Sequence, residues 1–230
     1  AEFVSGRRGE VESVFEQVLL ICHEQGLLGN ELFAIDGCKM SSNASKEWSG
    51  TFKELEDKRA KLKRQIDYHM NEHQTLDKDE AADEVRKQRA EQAIATLNKA
   101  HDKVDAFLKE ATPRMGKGKR PKEVKSNITD NESAKMTTSK GTIQGYNSVT
   151  TVDKKHQIII DGQVFGEGQE HHTLKPVLER IQDRFKRLSI SDDILQAQTI
   201  ITADTGFAND KFIGNEFEHR YAMAWKAEAG

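Results

Sequence analysis

Two short apolar runs along the chain each end in an aspartate with a glycine close behind it. The first run, LFAIDG, ends at Asp36, and the second, TIITADTG, ends at Asp204. Runs of this length that are rich in β-branched residues and closed by a turn signal predict buried strands. Each aspartate is therefore expected at the carboxyl end of a strand, where open α/β sheets bind ligands. Two carboxylates there are candidates for a shared metal site, although aspartate before glycine is also ordinary turn chemistry.

Other periodic segments predict the helices and strands of a sheet domain. Apolar residues at helical spacing predict a helix over 10–25 and a second helix over 171–188. Between them, residues 141–152 and 156–165 predict two strands joined by a turn. A short helix over 209–217 and a final strand over 221–226 follow the run that ends at Asp204. Because a strand after a crossover helix lies parallel to its neighbour, the pattern predicts an α/β fold with a mixed sheet.

A charged central segment follows a different period. Apolar and histidine residues recur at spacings of three and four over 52–76 and again over 90–108, which is typical of a coiled-coil seam. Two such helices predict an antiparallel hairpin inserted into the sheet domain. We therefore divide the chain into an N-terminal helix with the first strand (1–45), the helical-hairpin insertion (46–110), a basic linker (111–140) and the remainder of the sheet domain with its later strands (141–230).

Composition narrows the function classes. The chain has 230 residues, of which 36% are hydrophobic and 32% are charged, which suffices for one or two domains. No run approaches the roughly 18 apolar residues of a membrane span, and the start lacks the apolar region of a signal peptide. We therefore expect a cytoplasmic protein with no membrane partner. Cys22 and Cys38 lack the C-x-x-C spacing and predict neither a disulfide framework nor a zinc knuckle.

Positive charge is concentrated in the linker, although the net charge of the chain is −3. Seven lysines and arginines lie between 109 and 125 against two glutamates, together with turn-forming prolines and glycines. Such a segment can contact phosphates, although most charged linkers are simply solvated. The candidate DNA-contacting side chains in it are Arg114, Lys117, Lys119, Arg120 and Lys122.

Two short motifs match other enzyme classes. Residues 69–73 spell HMNEH, the H-x-x-E-H pattern of inverted zinc peptidases, with Glu72 as the base. Both histidines also continue the coiled-coil seam, so polar seam positions are the simpler interpretation. Residues 204–206 spell the D-T-G of aspartic proteases, but that chemistry needs two such aspartates, usually in an all-β scaffold.

Four sequence blocks, in this order, resemble the DDE transposases of bacterial insertion sequences, in the branch with a long helical insertion after the first acidic residue. The blocks are FAIDGCKMSSNASKEWSGT, KGTIQGYNSVTTVDKKHQIII, FGEGQEHHTLKPVLE and TIITADTGFAND. The resemblance implies a ribonuclease H-like core in which three acids hold two Mg²⁺ or Mn²⁺ ions for in-line attack at a DNA phosphate. It makes Asp36 the first acid, on the first strand, and Asp204 the second, just after the fourth strand. Lys39, Asn43 and Lys46 follow the first acid and are expected near the DNA backbone.

The chain departs from this family at its third acid. In the family a glutamate lies on a helix beyond the strand that corresponds to 221–226, and no glutamate here occupies that position. Glu216 and Glu218 precede that strand, and Glu167 and Glu170 precede the crossover helix. We therefore expect a fragment of such a transposase, truncated at both ends, with an incomplete ribonuclease H-like sheet. It would be inactive by itself, with insertion-sequence DNA ends as partner and possible self-association. The alternative is a non-catalytic interaction protein whose helical hairpin and basic linker bind DNA or a parent transposase.

Overall fold

A computed structural model describes residues 6–77, 84–117, 120–194 and 199–207 of the chain. The chain divides into two compact units, Ala1–Met40 with Tyr146–Gly230, and Ser41–Gly145. In chain order the described elements are α1 (Arg8–Glu24), β1 (Leu32–Ser41), β2 (Ser49–Gly50), α2 (Phe52–Asp77), α3 (Glu84–Glu110), β3 (Arg114–Met115), β4 (Glu123–Val124), β5 (Ser126–Asn127), β6 (Ala134–Thr138), β7 (Gly141–Asp153), β8 (Ile159–Phe165), α4 (Leu174–Arg187) and β9 (Ile200–Ala203), with 3₁₀ turns at Lys46–Trp48, Glu170–His172 and Thr205–Phe207.

The first unit contains a mixed sheet in which the strands lie in the order β8-β7-β1-β9. β7 pairs with β8 in the antiparallel sense. It is also antiparallel to β1, since Lys154 beyond the end of β7 donates its N–H to the carbonyl of Leu32 at the start of β1 (3.0 Å). β9 returns after α4 and lies parallel to β1, with Leu32 opposite Ile200 and Ile35 opposite Ala203. The predicted α/β class and the mixed sheet are both confirmed.

The core of this unit lies on one face of the sheet. Alternate residues of a strand point to opposite faces, and Phe33 and Ile35 are the buried positions of β1. Helix α4 covers them with buried side chains, among which Phe185 makes an edge-to-face contact with Phe33 at a centroid distance of 5.9 Å. Burial of each such side chain is worth about 1.5–3 kcal/mol. The other buried members of α4 are Leu174, Val177, Leu178 and Ile181.

A buried ion pair ties α4 to β8. Arg184 and Asp161 are both buried, and the guanidinium of Arg184 hydrogen-bonds the Asp161 carboxylate. The same Nη1 donates to the carbonyl of Ile160 at 3.1 Å. Asp161 also accepts from the side-chain amide of Gln163 at 2.6 Å. Burial of two charges is tolerated here because several hydrogen bonds satisfy them.

A second buried carboxylate fixes the chain where it enters β1. Asp153, at the end of β7, is fully buried and accepts hydrogen bonds from the backbone N–H groups of Gly29 (3.1 and 3.2 Å), Asn30 (2.8 Å) and Lys155 (2.8 Å). These donors belong to the loop before β1 and to the turn after β7. The position at which β1 begins is therefore set by a side chain from a distant part of the sequence.

In the second unit α2 and α3 pack as an antiparallel pair. Arg59 near the start of α2 pairs with Asp105 near the end of α3 (2.7 Å), while His73 near the end of α2 faces Glu91 near the start of α3 (3.3 Å). The predicted pairing of these two helices is confirmed. No helix in the described ranges has the length and apolar character that crossing a bilayer requires. The buried centre of the pair consists of Leu55, Leu62 and Val104.

Residues 111–140, which the sequence predicts as a linker, contain short paired strands. β3 pairs with β4, β5 pairs with β2, and β6 pairs with the first five residues of β7, all in the antiparallel sense. The segment that carries these basic residues is therefore held by short antiparallel strand pairs.

The turn predicted directly after Asp36 is wrong. β1 does not end there but continues to Ser41. The reason is the length of its neighbour: β7 has thirteen residues, and the carbonyl of Gln144 still accepts the N–H of Ser42 at 2.9 Å. The predicted elements at 209–217 and 221–226 lie outside the described residues.

Candidate metal centre

The two candidate acids follow aligned residues on neighbouring parallel strands. The β1–β9 register ends with Ile35 opposite Ala203, so that the next residues are Asp36, within β1, and Asp204, directly after the end of β9. Neighbouring strands are about 4.8 Å apart. Both aspartates are exposed. Two aspartates that are far apart in sequence therefore follow paired residues of adjacent strands.

Both aspartates are oriented by the same local hydrogen bond. The Oδ1 atom of Asp36 accepts the N–H of Gly37 at 2.8 Å, and the Oδ1 atom of Asp204 accepts the N–H of Thr205 at 2.6 Å. The Thr205 hydroxyl also donates to the Oδ1 atom of Asp204, at 3.2 Å. Within the described part of the chain, the Oδ2 atom of each carboxylate forms no hydrogen bond or ion pair. One oxygen is thus fixed to the backbone, and the other is available to a cation or to water.

Glu170 lies closer to these acids than its place in the sequence indicates. Its Oε1 is 3.0 Å from the position that a Cβ on Gly37 would occupy, and its Oε2 is 2.5 Å from the corresponding position at Gly206. A Cβ at Gly206 would force this carboxylate to move, so glycine at this position permits the close approach. Sequence reasoning set Glu170 aside because it precedes the crossover helix. The glycine close behind each aspartate suggests a turn, and no local sequence pattern indicates that Glu170 packs beside it.

A buried amide faces the same place. Asn147 on β7 is 0% exposed, and neither its Oδ1 nor its Nδ2 has a hydrogen-bond partner among the described residues. Its Oδ1 is 3.3 Å from the same Cβ position at Gly37 that Glu170 approaches. An unpaired buried polar group costs about 1–3 kcal/mol. Such a group is expected where water or a ligand supplies the missing partner.

The electrostatics of this region favour a cation. Asp36, Glu170 and Asp204 are three carboxylates, and none of them forms an ion pair within the described residues. Carboxylate and amide oxygens are the donors that hard divalent ions prefer. However, no three His, Cys, Asp or Glu side chains in the described ranges are close enough together to enclose a metal ion. The donor set fits a divalent cation held directly by few protein ligands, with water as the remainder.

Of the three polar residues predicted to follow the first acid, one lies in the first unit. Lys39 is exposed on β1, and strand alternation places it on the same face as Gly37. Asn43 and Lys46 belong to the second unit and are exposed there. The ammonium group of Lys46 donates to the carbonyl of Thr142 at 3.2 Å. The structure thus brings Lys39 onto the strand of the first acid.

The candidate basic residues of the linker are divided by their contacts. Arg114 is used internally, since its guanidinium donates to the carbonyls of Asn131 and Ser133. Exposed positive side chains lie instead on the loop between β3 and β4. Lys119 lies outside the described residues. The exposed basic residues of the loop are Lys117, Arg120 and Lys122.

The two histidines of the zinc-peptidase motif contact carboxylates of the helical pair. His69 lies 3.2 Å from Glu72 on its own helix, and His73 lies 3.3 Å from Glu91 on α3. Glu72, the general base in the zinc-peptidase pattern, therefore contacts His69, whereas His73 faces the other helix. This is the arrangement of polar seam positions.

Comparisons of the chain with protein-family models, curated proteins and solved structures found no match.

Proposed function

We propose that this chain is part of the catalytic core of a DDE transposase, a metal-dependent enzyme of DNA cleavage and strand transfer. The observation that carries the proposal is the register of β1 and β9, which makes Asp36 and Asp204 the next residues on adjacent parallel strands. In such a core the first acid lies on the first strand and the second follows the fourth. β1, β7, β8 and β9 are the successive strands of the first unit, so both acids have these places.

The strand order further supports a ribonuclease H-like sheet. Three strands, β1, β7 and β8, are each antiparallel to the next, and the fourth, β9, joins the other side of β1 in the parallel sense after a helix. The pair α2–α3 is then the helical insertion, since it comes between the first strand, which carries Asp36, and the second, β7.

The chain's own residues have defined parts in this proposal. Asp36 and Asp204 would hold the divalent ions, Mg²⁺ or Mn²⁺, through the oxygens that the backbone does not occupy. When bound, two such ions supply activation of a water or a 3′ hydroxyl and charge neutralisation at the leaving oxygen. The Oδ1 hydrogen bonds hold each carboxylate in one orientation before the ion arrives. Lys39, exposed on the same strand, is placed to attract a DNA phosphate.

The 230-residue chain is expected to bind divalent ions without cleaving DNA. Of the family's three acids, the resemblance assigns two, Asp36 and Asp204, to residues of this chain. Strand transfer or nicking of terminal-repeat DNA by this chain alone would contradict the expected inactivity, while leaving the assignment of the two aspartates intact.

The proposal is tested by titrating the full chain with Mn²⁺ and measuring the free ion by electron paramagnetic resonance. Asp36→Asn and Asp204→Asn keep the shape of each side chain but remove its charge, and each should weaken binding about tenfold or more, which corresponds to about 1.4 kcal/mol. Asp57→Asn on α2 is the matched control, because Asp57 is exposed and lies in the second unit. Equal affinity in all three variants would refute the site.

The exposed basic loop between β3 and β4 favours a second candidate function, in which the chain binds DNA without catalysis. Lys117, Arg120 and Lys122 are exposed and lie between the paired strands β3 and β4. Neutralisation of phosphates by such residues gives affinity that falls steeply with salt. DNA binding that needs no divalent ion, together with Mn²⁺ binding that neither aspartate affects, would make this second function the better account.

A further inference from the structure

A single carboxylate, that of Glu170, contacts the backbone beside both candidate acids. Gly37 directly follows Asp36, and Gly206 comes two residues after Asp204. The two oxygens of Glu170 approach these two glycines, one each. The 3₁₀ turns Glu170–His172 and Thr205–Phe207 pack against each other, which brings Glu170 there. No other described acid has this relation to both aspartates.

Asn147 gives independent support for a ligand at this place. Its buried amide is unpartnered among the described residues, and its Oδ1 approaches the same point at Gly37 as the Oε1 of Glu170. Two oxygens from different elements, one charged and one neutral, thus converge. Both oxygens are acceptors, and the Nδ2 donor of Asn147 is likewise without a partner among the described residues. Ordered water is the expected donor at a polar buried site of this kind.

The route from Glu170 to the aspartates passes the open edge of β1. Asp36 and Gly37 lie on opposite faces of the strand, so Glu170 approaches from the face covered by helices. Beyond Ile35 the described residues place no strand on the β9 side of β1. Gly37 carries no side chain that would block this edge. Glu170 thus lies beside the glycines that follow both aspartates, on the face of β1 opposite to the Asp36 side chain.

We propose that Glu170 is a further carboxylate of the divalent-cation site, where it accepts a hydrogen bond from a cation-bound water that Asn147 helps to position. This inference rests on the proposed function, because it uses the site formed by Asp36 and Asp204. Mg²⁺ dehydrates reluctantly and keeps several waters in protein sites. A carboxylate can thus contribute charge and orientation without being a direct ligand, which agrees with the lack of three clustered ligands in the described ranges.

The test measures Mn²⁺ affinity of the full chain by electron paramagnetic resonance. Glu170→Gln preserves shape and removes charge, and it should weaken binding about tenfold, as the loss of outer-shell partners does elsewhere. Glu167→Gln is the matched control, because it removes the same charge three residues earlier and should leave the affinity unchanged. Circular dichroism and thermal melting of each variant check that the fold is retained.

Gly206→Ala tests the same inference without any change of charge. The added Cβ would lie 2.5 Å from the Oε2 of Glu170, so the flexible end of that side chain must move away. Mn²⁺ affinity should fall about as much as in Glu170→Gln. A purely structural role for Glu170 would lower the melting temperature and leave the ion affinity as it is in the control.

The outcomes separate the two proposals. Weaker binding in Asp36→Asn and Asp204→Asn, with Glu170→Gln equal to Glu167→Gln, would overturn the role of Glu170 and leave the proposed function standing. Unchanged binding in both aspartate variants would overturn the proposed function, and the role of Glu170 in that site would fall with it.

Discussion

The buried pair of Arg184 and Asp161 allows a sharp prediction about stability. Replacement of Arg184 by Met keeps an unbranched, apolar side chain of similar length but removes every hydrogen bond of the guanidinium. Asp161 would then be left fully buried, with Gln163 as its side-chain hydrogen-bond donor and the Arg180 guanidinium, 3.9 Å away, as its remaining ion-pair partner. Loss of one partner from a buried pair costs about 3–5 kcal/mol, since the remaining charge is uncompensated. Because Gln163 still donates at 2.6 Å, the expected cost of Arg184→Met is about 3 kcal/mol.

The reverse substitution should cost less. Asp161→Asn leaves Arg184 with the carbonyl of Ile160 at 3.1 Å and with the carboxylate of Glu16 at 3.7 Å. Because Arg184 keeps these partners, Asp161→Asn should lower the free energy of unfolding by about 2 kcal/mol. The double variant should be more stable than the sum of the two single costs predicts, by about 1–3 kcal/mol, because no unpaired charge is then buried.

Urea unfolding with hydrogen exchange as the probe suits this measurement, since the amides of β8 and of residues 146–153 of β7 report on the first unit alone. Lys175→Met provides the control on the same helix. Lys175 pairs with Glu179 at 3.7 Å, and both side chains are about 60% exposed, so the pair is worth less than about 1 kcal/mol. If Arg184→Met costs no more than Lys175→Met, the reasoning about the buried pair is wrong.

Two further predictions concern local packing and pH. Gly37→Ala places a Cβ 3.0–3.3 Å from Glu170, Phe207 and Asn147, and should lower stability by about 1–3 kcal/mol in thermal melting. Gly162→Ala, which meets nothing within 4 Å, should not, and equal costs would refute the packing argument. The Lys125 ammonium, 2.9 Å from Glu54, lowers the pKa of that carboxyl, so the pair stabilises the fold above the ordinary glutamate pKa and loses this effect as the pH falls through the lowered value. Lys125→Met should move the pKa of Glu54 upward in an NMR titration, and an unchanged pKa would contradict the assigned cause.

Periodicity predicts the regular elements of this fold well because each repeats a simple pattern. The helix α4 has six buried residues at helical spacing, and the strands β7 and β8 alternate around a turn, so their identities follow from local sequence. The pair α2–α3 follows from its coiled-coil seam. Where a strand ends is a different matter, since pairing with a distant neighbour decides it. Asp36 precedes a glycine and suggests a turn, but β7 continues alongside and β1 continues with it.

The candidate site shows the same limit. Asp36 and Asp204 were predictable because each ends an apolar run, and the parallel register of β1 and β9 places them side by side. Glu170 was not, since a three-residue 3₁₀ turn has no periodic signature and its approach depends on packing against another such turn. Arg114 is a similar case, because composition marks it as a basic residue of a charged segment and does not indicate that its guanidinium binds backbone carbonyls.

The carboxylate of Asp153 has a consequence for genetics. Its hydrogen bonds hold Gly29 and Asn30 just before β1, and Asp36 is the fifth residue of that strand. A substitution at Asp153 would therefore displace the strand that carries the candidate acid while touching no reacting group. In a screen for loss of Mn²⁺ binding, Asp153 should appear among the strongest positions, and an investigator who ranks residues by phenotype alone would place it in the metal site.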